Sequence, residues 1–326
     1  MPTSTMVEVL VPIWQSVLQL SSVGIDDNFF DLGGDSALAL ELFHEVALAC
    51  GRELPPVVIY HAPTISALAA LLDQPNTSPI PPLVQMREGA GTPVFIAHGL
   101  GGSAMDFFQI VKHIRTANAI YGLQAKGIDG LEAPLDRIED RARYALDAVR
   151  ELQPRGPYIL IGFSLGGLLT LEMAQQLVAQ GERVELLAML DSYPYISYLP
   201  LGQKIRLAAR LAYRWSASRL QWLGVSAPYR TMIDSQSSPI LQRFRDSDRE
   251  ALQRYRPRYY PGKINFVRAA IPTDFPANPA AVWSHLAREF NVETVPGDHL
   301  GIMTTHFEEL ASALSRYLAK TSPSEQ

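Results

Sequence analysis

The sequence has a single cysteine, Cys50, in 326 residues, so no disulfide framework is possible. Cys50 sits in the apolar helical run LFHEVALAC and reads as a small buried hydrophobe. There is no run of 18 apolar residues, and no basic stretch at the N-terminus ahead of an apolar one. Neither a membrane-spanning helix nor a secretory signal is therefore expected, and the expected location is cytoplasmic. Positive charge is not in excess: the net charge of −5 argues against nucleic acid as the main partner. No metal site is assigned. The first 73 residues lack convincing strands. What remains is an ordinary globular composition, 47% hydrophobic and 19% charged, on a chain with room for about two domains.

The chain is organised around Tyr158 to Gly167, YILIGFSLGG. A buried-strand pattern runs into Gly162-Phe163-Ser164-Leu165-Gly166, and the helical run LLTLEMAQQLVAQ follows. A G-x-S-x-G between strand and helix makes a sharp turn that holds the serine hydroxyl exposed and strained. Glycine is needed at 162 and 166 because a Cβ there would strike the neighbouring strand or helix. The new helix aims its first amides at any oxyanion that forms beside Ser164.

From Leu83 onward strands and helices alternate. VFIAHG (94–99), AIYGLQ (119–124), the Ser164 strand, VELLAMLD (184–191), KINFVRAAI (263–271) and NVETVPGDH (291–299) read as strands. IEDRARYALDAVREL (138–152) reads as a helix stopped by Pro154 and Gly156. Such alternation predicts a mostly parallel sheet flanked by helices, with chemistry at the carboxyl ends of the strands. Ser164, Asp191, Asp274 and His299 fall at such ends. The order Ser…Asp…His is that of α/β-hydrolases, in which an imidazole activates the serine and a carboxylate orients the imidazole. Of seven histidines, His299 in Pro296-Gly297-Asp298-His299 fits the base best, while His98 stands at the mouth of a glycine loop and fits a shaping role. A generic reading favours Asp274 as the acid because it follows the penultimate strand.

Residues 6–73 read as helices separated by turns. Ile13, Trp14, Val17 and Leu18 share one helix face, with Pro12 either starting or kinking that helix. Gly33-Gly34 make a turn, and Asp35 or Ser36 caps a helix whose apolar face is Leu38, Leu42, Phe43 and Val46. A third helix begins at Thr64 as N-cap. The string DDNFFDLGGDSALALELF resembles the carrier (thiolation) domains of nonribosomal peptide synthetases and related assembly-line enzymes. That resemblance implies a 4'-phosphopantetheine arm esterified to Ser36 by a phosphopantetheinyl transferase. A helix start also suits the anionic phosphodiester. Residues 74–82, QPNTSPIPP, with four prolines, read as a semi-rigid tether.

Residues 83–320 resemble the thioesterase domains that terminate peptide and polyketide synthetases. The likeness rests on the His98-Gly99 loop, GFSLGG, LLAMLDSYP, YYPGKINFVRA, Trp283 and VPGDH. It implies Ser164 as nucleophile, His299 as base and Asp191, not Asp274, as acid. It also implies an oxyanion hole from the backbone N–H of Leu165 and that of Leu100, with Gly101 as fallback, and a helical lid over about 195–255. The expected architecture is thus a small all-α carrier bundle (1–73), a linker (74–82), an α/β-hydrolase domain (83–320) and a short tail (321–326). The implied function is transfer of an acyl or peptidyl thioester from the Ser36 arm to Ser164, then release by hydrolysis or cyclisation. Upstream adenylation, condensation or synthase modules would supply the acyl group. An editing thioesterase, or a carrier scaffold with a non-releasing hydrolase domain, is the alternative. In the lid segment Arg206, Arg210 and Arg214 recur on one helical face, with Leu207, Leu211, Trp215, Leu220 and Trp222 among the apolar residues. That basic face is either a solvated surface or a landing site for the acidic carrier motif, with a membrane-surface helix as a third reading.

Overall fold

The structure, a computed structural model, describes residues 4–34, 36–52, 54, 56–60, 62–74, 80–100, 102–129, 131–209, 239–272 and 276–321. The N-terminal unit is helical: α1 (Ser4–Leu18), α2 (Ser36–Cys50), a 3-10 turn (Pro56–Tyr60) and α3 (Ile65–Leu72). α1 begins at Ser4 and contains Pro12, so the proline does not start it. The apolar stripes meet in one core, with Leu10, Trp14 and Val17 packed among Leu42, Phe43, Val46, Ile65 and Leu68. The Phe29 ring lies edge-on to Trp14, centroids 5.3 Å apart. α3 starts where Thr64 Oγ1 accepts the Ala67 N–H at 3.1 Å.

The second unit is a seven-stranded sheet in the order β1-β3-β2-β4-β5-β6-β7. Its strands are β1 (Leu83–Arg87), β2 (Val94–Ala97), β3 (Ile120–Leu123), β4 (Tyr158–Phe163), β5 (Val184–Leu190), β6 (Tyr260–Ala269) and β7 (Ala287–Val295). All neighbours are parallel except β1, which pairs antiparallel with β3 at the edge. β1, LVQMR, is absent from the sequence reading. It is short, carries Gln85 exposed, and gains its strand character from β3 alone.

β4 is central and buried along its whole length. Tyr158 and Leu160 point into the core shared with α5 (Ile138–Leu152) and α6 (Leu165–Ala179). Ile159, Ile161 and Phe163 point the other way, into the core shared with α4 (Phe108–His113) and the C-terminal Phe307–Ala319 helix. Burial on both faces is why this strand reads as a continuous apolar run, each such side chain contributing about 1.5–3 kcal/mol. Beyond β5 come a 3-10 turn at Ile196–Tyr198, a helical stretch over 201–209, and α7 (Pro239–Arg254). Arg206 is exposed, whereas Arg210, Arg214, Leu211, Trp215, Leu220 and Trp222 lie outside the described residues. Among the described residues no helix is long and apolar enough to cross a membrane.

Candidate active site

β4 hands the chain to α6 through Ser164, whose φ of 53° and ψ of −117° are unusual for a residue with a side chain. Such a conformation costs on the order of 1–3 kcal/mol and persists only where its surroundings impose it. Here the Ser164 N–H donates to Leu190 O at 2.9 Å, and the Ser164 carbonyl accepts the Gly167 N–H at 3.2 Å. A Cβ at Gly162 would run into the Gly166 carbonyl, and one at Gly166 into the His98 and Ala97 carbonyls. Strand, turn and helix therefore close on one another only with glycine at both positions.

Asp191 follows β5, also at positive φ (43°), and its N–H donates to Val267 O at 2.7 Å on β6. Its carboxylate is buried. Oδ1 accepts the Ala269 N–H at 3.2 Å, and Oδ2 lies 2.8 Å from His299 Nδ1. A carboxylate can only accept, so Nδ1 carries the proton and Nε2 is left to accept from Ser164 Oγ, 3.1 Å away. The His299 ring stacks on Phe163, centroids 4.8 Å apart at 25°. Its loop is turned by Asp298, whose Oδ1 accepts the Gly301 N–H at 2.7 Å. Three residues from the ends of β4, β5 and β7 thus form one hydrogen-bonded line. Asp274 lies outside the described residues.

The loop after β2 lies beside the serine: a Cβ on Gly99 would sit 3.7 Å from Ser164 Cβ. His98 is buried at its start, with Nδ1 2.7 Å from Gly99 O. Burial drives the His98 pKa down, so this imidazole is neutral and structural. The far end of the loop is tied to β3, as Gln124 Oε1 accepts the Ala104 N–H at 3.0 Å and the Ala125 N–H donates to Gly102 O at 3.1 Å. Asp106, which the sequence reading does not single out, belongs to this loop's frame. It keeps an open edge, yet desolvation by the atoms crowded around its carboxyl pushes it up to about 7, and the Gly99 N–H it accepts pulls the other way. Leu100 is the next backbone donor along the loop after Gly99. Leu165, the first residue of α6, has an amide without an intrahelical partner by virtue of its position. Gly101 is outside the described residues.

In the helical unit, Ser36 is the first residue of α2. The preceding turn is held by the Gly33 N–H donating to Phe30 O at 3.2 Å and the Gly34 N–H to Phe29 O at 2.9 Å. A Cβ on Gly34 would collide with the Phe29 ring, while Gly33, at φ +96°, faces open space. A 15-residue helix opening at a serine fits a phosphodiester-linked arm.

Comparison with known proteins bears on both units. The thioesterase domain model matches residues 92–318, well over half of the chain. The chain belongs to the thioesterase family. The phosphopantetheine attachment site model matches residues 8–72, so the thioesterase domain is preceded by a carrier domain that bears covalent 4'-phosphopantetheine. The chain is 41% identical over 204 residues to a dimodular nonribosomal peptide synthase of Bacillus subtilis, covering 62% of this chain and 8% of that one. It is 35% identical over 190 residues to an indigoidine synthase of Dickeya dadantii, covering 58% of this chain and 13% of the other. The carrier–thioesterase pair therefore corresponds to a small part of these relatives. Among solved structures, the NocB thioesterase domain is 25% identical with a TM-score of 0.53, over 71% of this chain and 96% of that domain. A four-domain nonribosomal peptide synthetase shares the fold over 99% of this chain and 26% of its own, at 22% identity and a TM-score of 0.61. The thioesterase is accordingly a hydrolase of the α/β-hydrolase type with an all-α carrier domain ahead of it.

Proposed function

We propose that this carrier–thioesterase pair releases an acyl or peptidyl product from a nonribosomal peptide or polyketide assembly line, with Ser164 as nucleophile, His299 as base and Asp191 as the acid that orients it. The observation that carries the reading is the single imidazole that bridges Asp191 Oδ2 and Ser164 Oγ at 2.8 and 3.1 Å. Phosphopantetheine on Ser36 supplies the thiol on which an acyl group arrives as a thioester. Ser164 Oγ attacks the thioester carbonyl while His299 Nε2 takes its proton, and Asp191 stabilises the imidazolium that forms. The amides of Leu165 and Leu100 receive the oxyanion. The C–S bond then breaks, His299 returns its proton to the departing sulfur, and an ester remains on Ser164. Water or an internal nucleophile, deprotonated by the same imidazole, cleaves that ester to a free acid or a ring. In this reading residues 1–73 carry, 74–82 tether and 83–320 release. A phosphopantetheinyl transferase and upstream modules are the partners, and the setting is cytoplasmic.

An intact-mass time course on acyl-loaded protein tests this. The wild type loses the acyl mass, and Ser164→Ala retains it. Asp191→Asn slows the loss by about 10³–10⁴-fold because the wrong imidazole tautomer is favoured, whereas Asp274→Asn leaves the rate within a few-fold. The opposite ranking of the two aspartates would transfer the acid role to Asp274. A protein that accepts no arm would remove Ser36 from the scheme.

A further inference from the structure

One aromatic contact joins the two units beside the active-site loop. The Phe30 ring of the carrier stacks on Phe108 of the thioesterase domain, centroids 4.8 Å apart at 29°. On the carrier side, Phe30 meets Phe29 edge-on at 5.6 Å, and Phe29 is the side chain against which Gly34 closes. The stacked ring is thus continuous with the turn that leads into Ser36. On the thioesterase side, Phe108 opens α4, directly after the 3-10 turn Ala104–Phe107 that continues the Gly99 loop beside Ser164. Lys112 Nζ lies 4.2 Å from the same ring, fixing it further. Around the stack, Met105 of that turn and Val84 of β1 are buried in the apolar cluster that holds the carrier's Trp14 and Phe29. The linker end is fixed to the same unit, because the Ile80 N–H donates to Asp129 Oδ2 and the Gln124 N–H to Pro82 O, both at 2.8 Å.

From this we infer that the Phe30–Phe108 face is the productive docking surface of the chain's own carrier, presenting the Ser36 end of α2 to the element that frames the oxyanion loop. The inference rests on the release reading above, and it assigns the docking to α4 and not to the basic face at Arg206. A stacked aromatic pair is worth enough to change transfer about threefold to tenfold when one ring is removed.

Two readouts on the full chain test it. In the unloaded protein, Phe30→Ala is expected to raise amide hydrogen exchange over residues 104–113. In acyl-loaded protein, Phe30→Ala and Phe108→Ala should each slow loss of the tethered acyl mass about threefold to tenfold, with the double variant no slower than either single one. Turnover of a small free thioester, such as an acyl-N-acetylcysteamine, should stay within twofold of wild type. Loading by the transferase reports that the Phe30→Ala carrier is folded. Should it fail to load, Phe108→Ala, which leaves the carrier untouched, carries the test. Unchanged exchange, unchanged tethered rates, simple additivity of the two substitutions, or a slowing by Arg206→Glu alone would overturn the assignment. An error in the release reading itself shows separately, as an acyl group that persists on the wild type.

Discussion

His98 and His299 stand at the two ends of the same site and are held in opposite ways. His299 keeps both ring nitrogens engaged with Asp191 and Ser164 at the edge of solvent, whereas His98 is sealed beneath the glycine loop. Desolvation leads the downward shift of His98, the nearby Arg141 guanidinium adds to it, and the Gly99 carbonyl and Asp248 oppose it. Because the folded state resists protonation at a group that protonates near 6.5 when exposed, the His98 contribution to stability is present above that pH and is lost as pH falls through the lower folded value. Urea unfolding midpoints measured from pH 8 to pH 5 should therefore fall more steeply for the wild type than for His98→Asn. Parallel curves would show that burial does not govern this imidazole. The sequence places both histidines at strand ends, and only their surroundings separate a sealed ring from one that bridges Asp191 and Ser164.

Helices and loops flanking the sheet are tied together by polar struts. Arg141 of α5 donates to Asp248 of α7 at 2.5 Å, to Ser247 Oγ at 2.9 Å and to Leu135 O at 2.6 Å, and both members of the ion pair are buried. A second strut joins α6 to the chain after α7, where Glu172 accepts from Tyr255 Oη at 3.2 Å and from Arg258 at 3.1 Å. Removing one partner strands a buried charge, so Asp248→Ala should lower the unfolding free energy by about 3–5 kcal/mol. Asp246→Ala, which breaks an exposed pair with Arg249 on the same helix, should cost no more than about 1 kcal/mol. Chemical denaturation of the two variants distinguishes the cases, and equal losses would mean that the strut does not fasten α7. Long periodic elements such as α5 and the all-apolar β4 are legible because their patterns are local, while β1 is not, since a five-residue edge strand exists only through its partner.

For the whole molecule, the consequence of fusion under the proposed function is that the acyl donor and Ser164 share one chain. On the proposed function, the effective concentration set by a short tether lets a pocket of weak intrinsic affinity turn over a loaded carrier. Cleaving the acyl-loaded protein at a protease site inserted within residues 75–79 should convert acyl loss from a concentration-independent process into one that slows on dilution. Intact-mass time courses at two dilutions read this directly, and a dilution-independent rate after cleavage would mean that the Phe30–Phe108 face alone holds the units together.

Local physics alone accounts for a good part of this protein. The alternation of apolar strands and amphipathic helices, the glycines that permit Ser164 its turn, the Thr64 cap and the Gly33-Gly34 turn ahead of α2 are each written within a dozen neighbouring residues. Strand order alone favours Asp274 as the acid and the family resemblance favours Asp191; it is the pairing of β5 with β6, and the Ala269 amide it brings to Asp191 Oδ1, that holds Asp191 against His299. Likewise nothing local links Phe30 to Phe108 or Arg141 to Asp248. Contacts between residues about a hundred positions apart depend on strand register and on which faces of the two units are buried together, and those are properties of the packed chain.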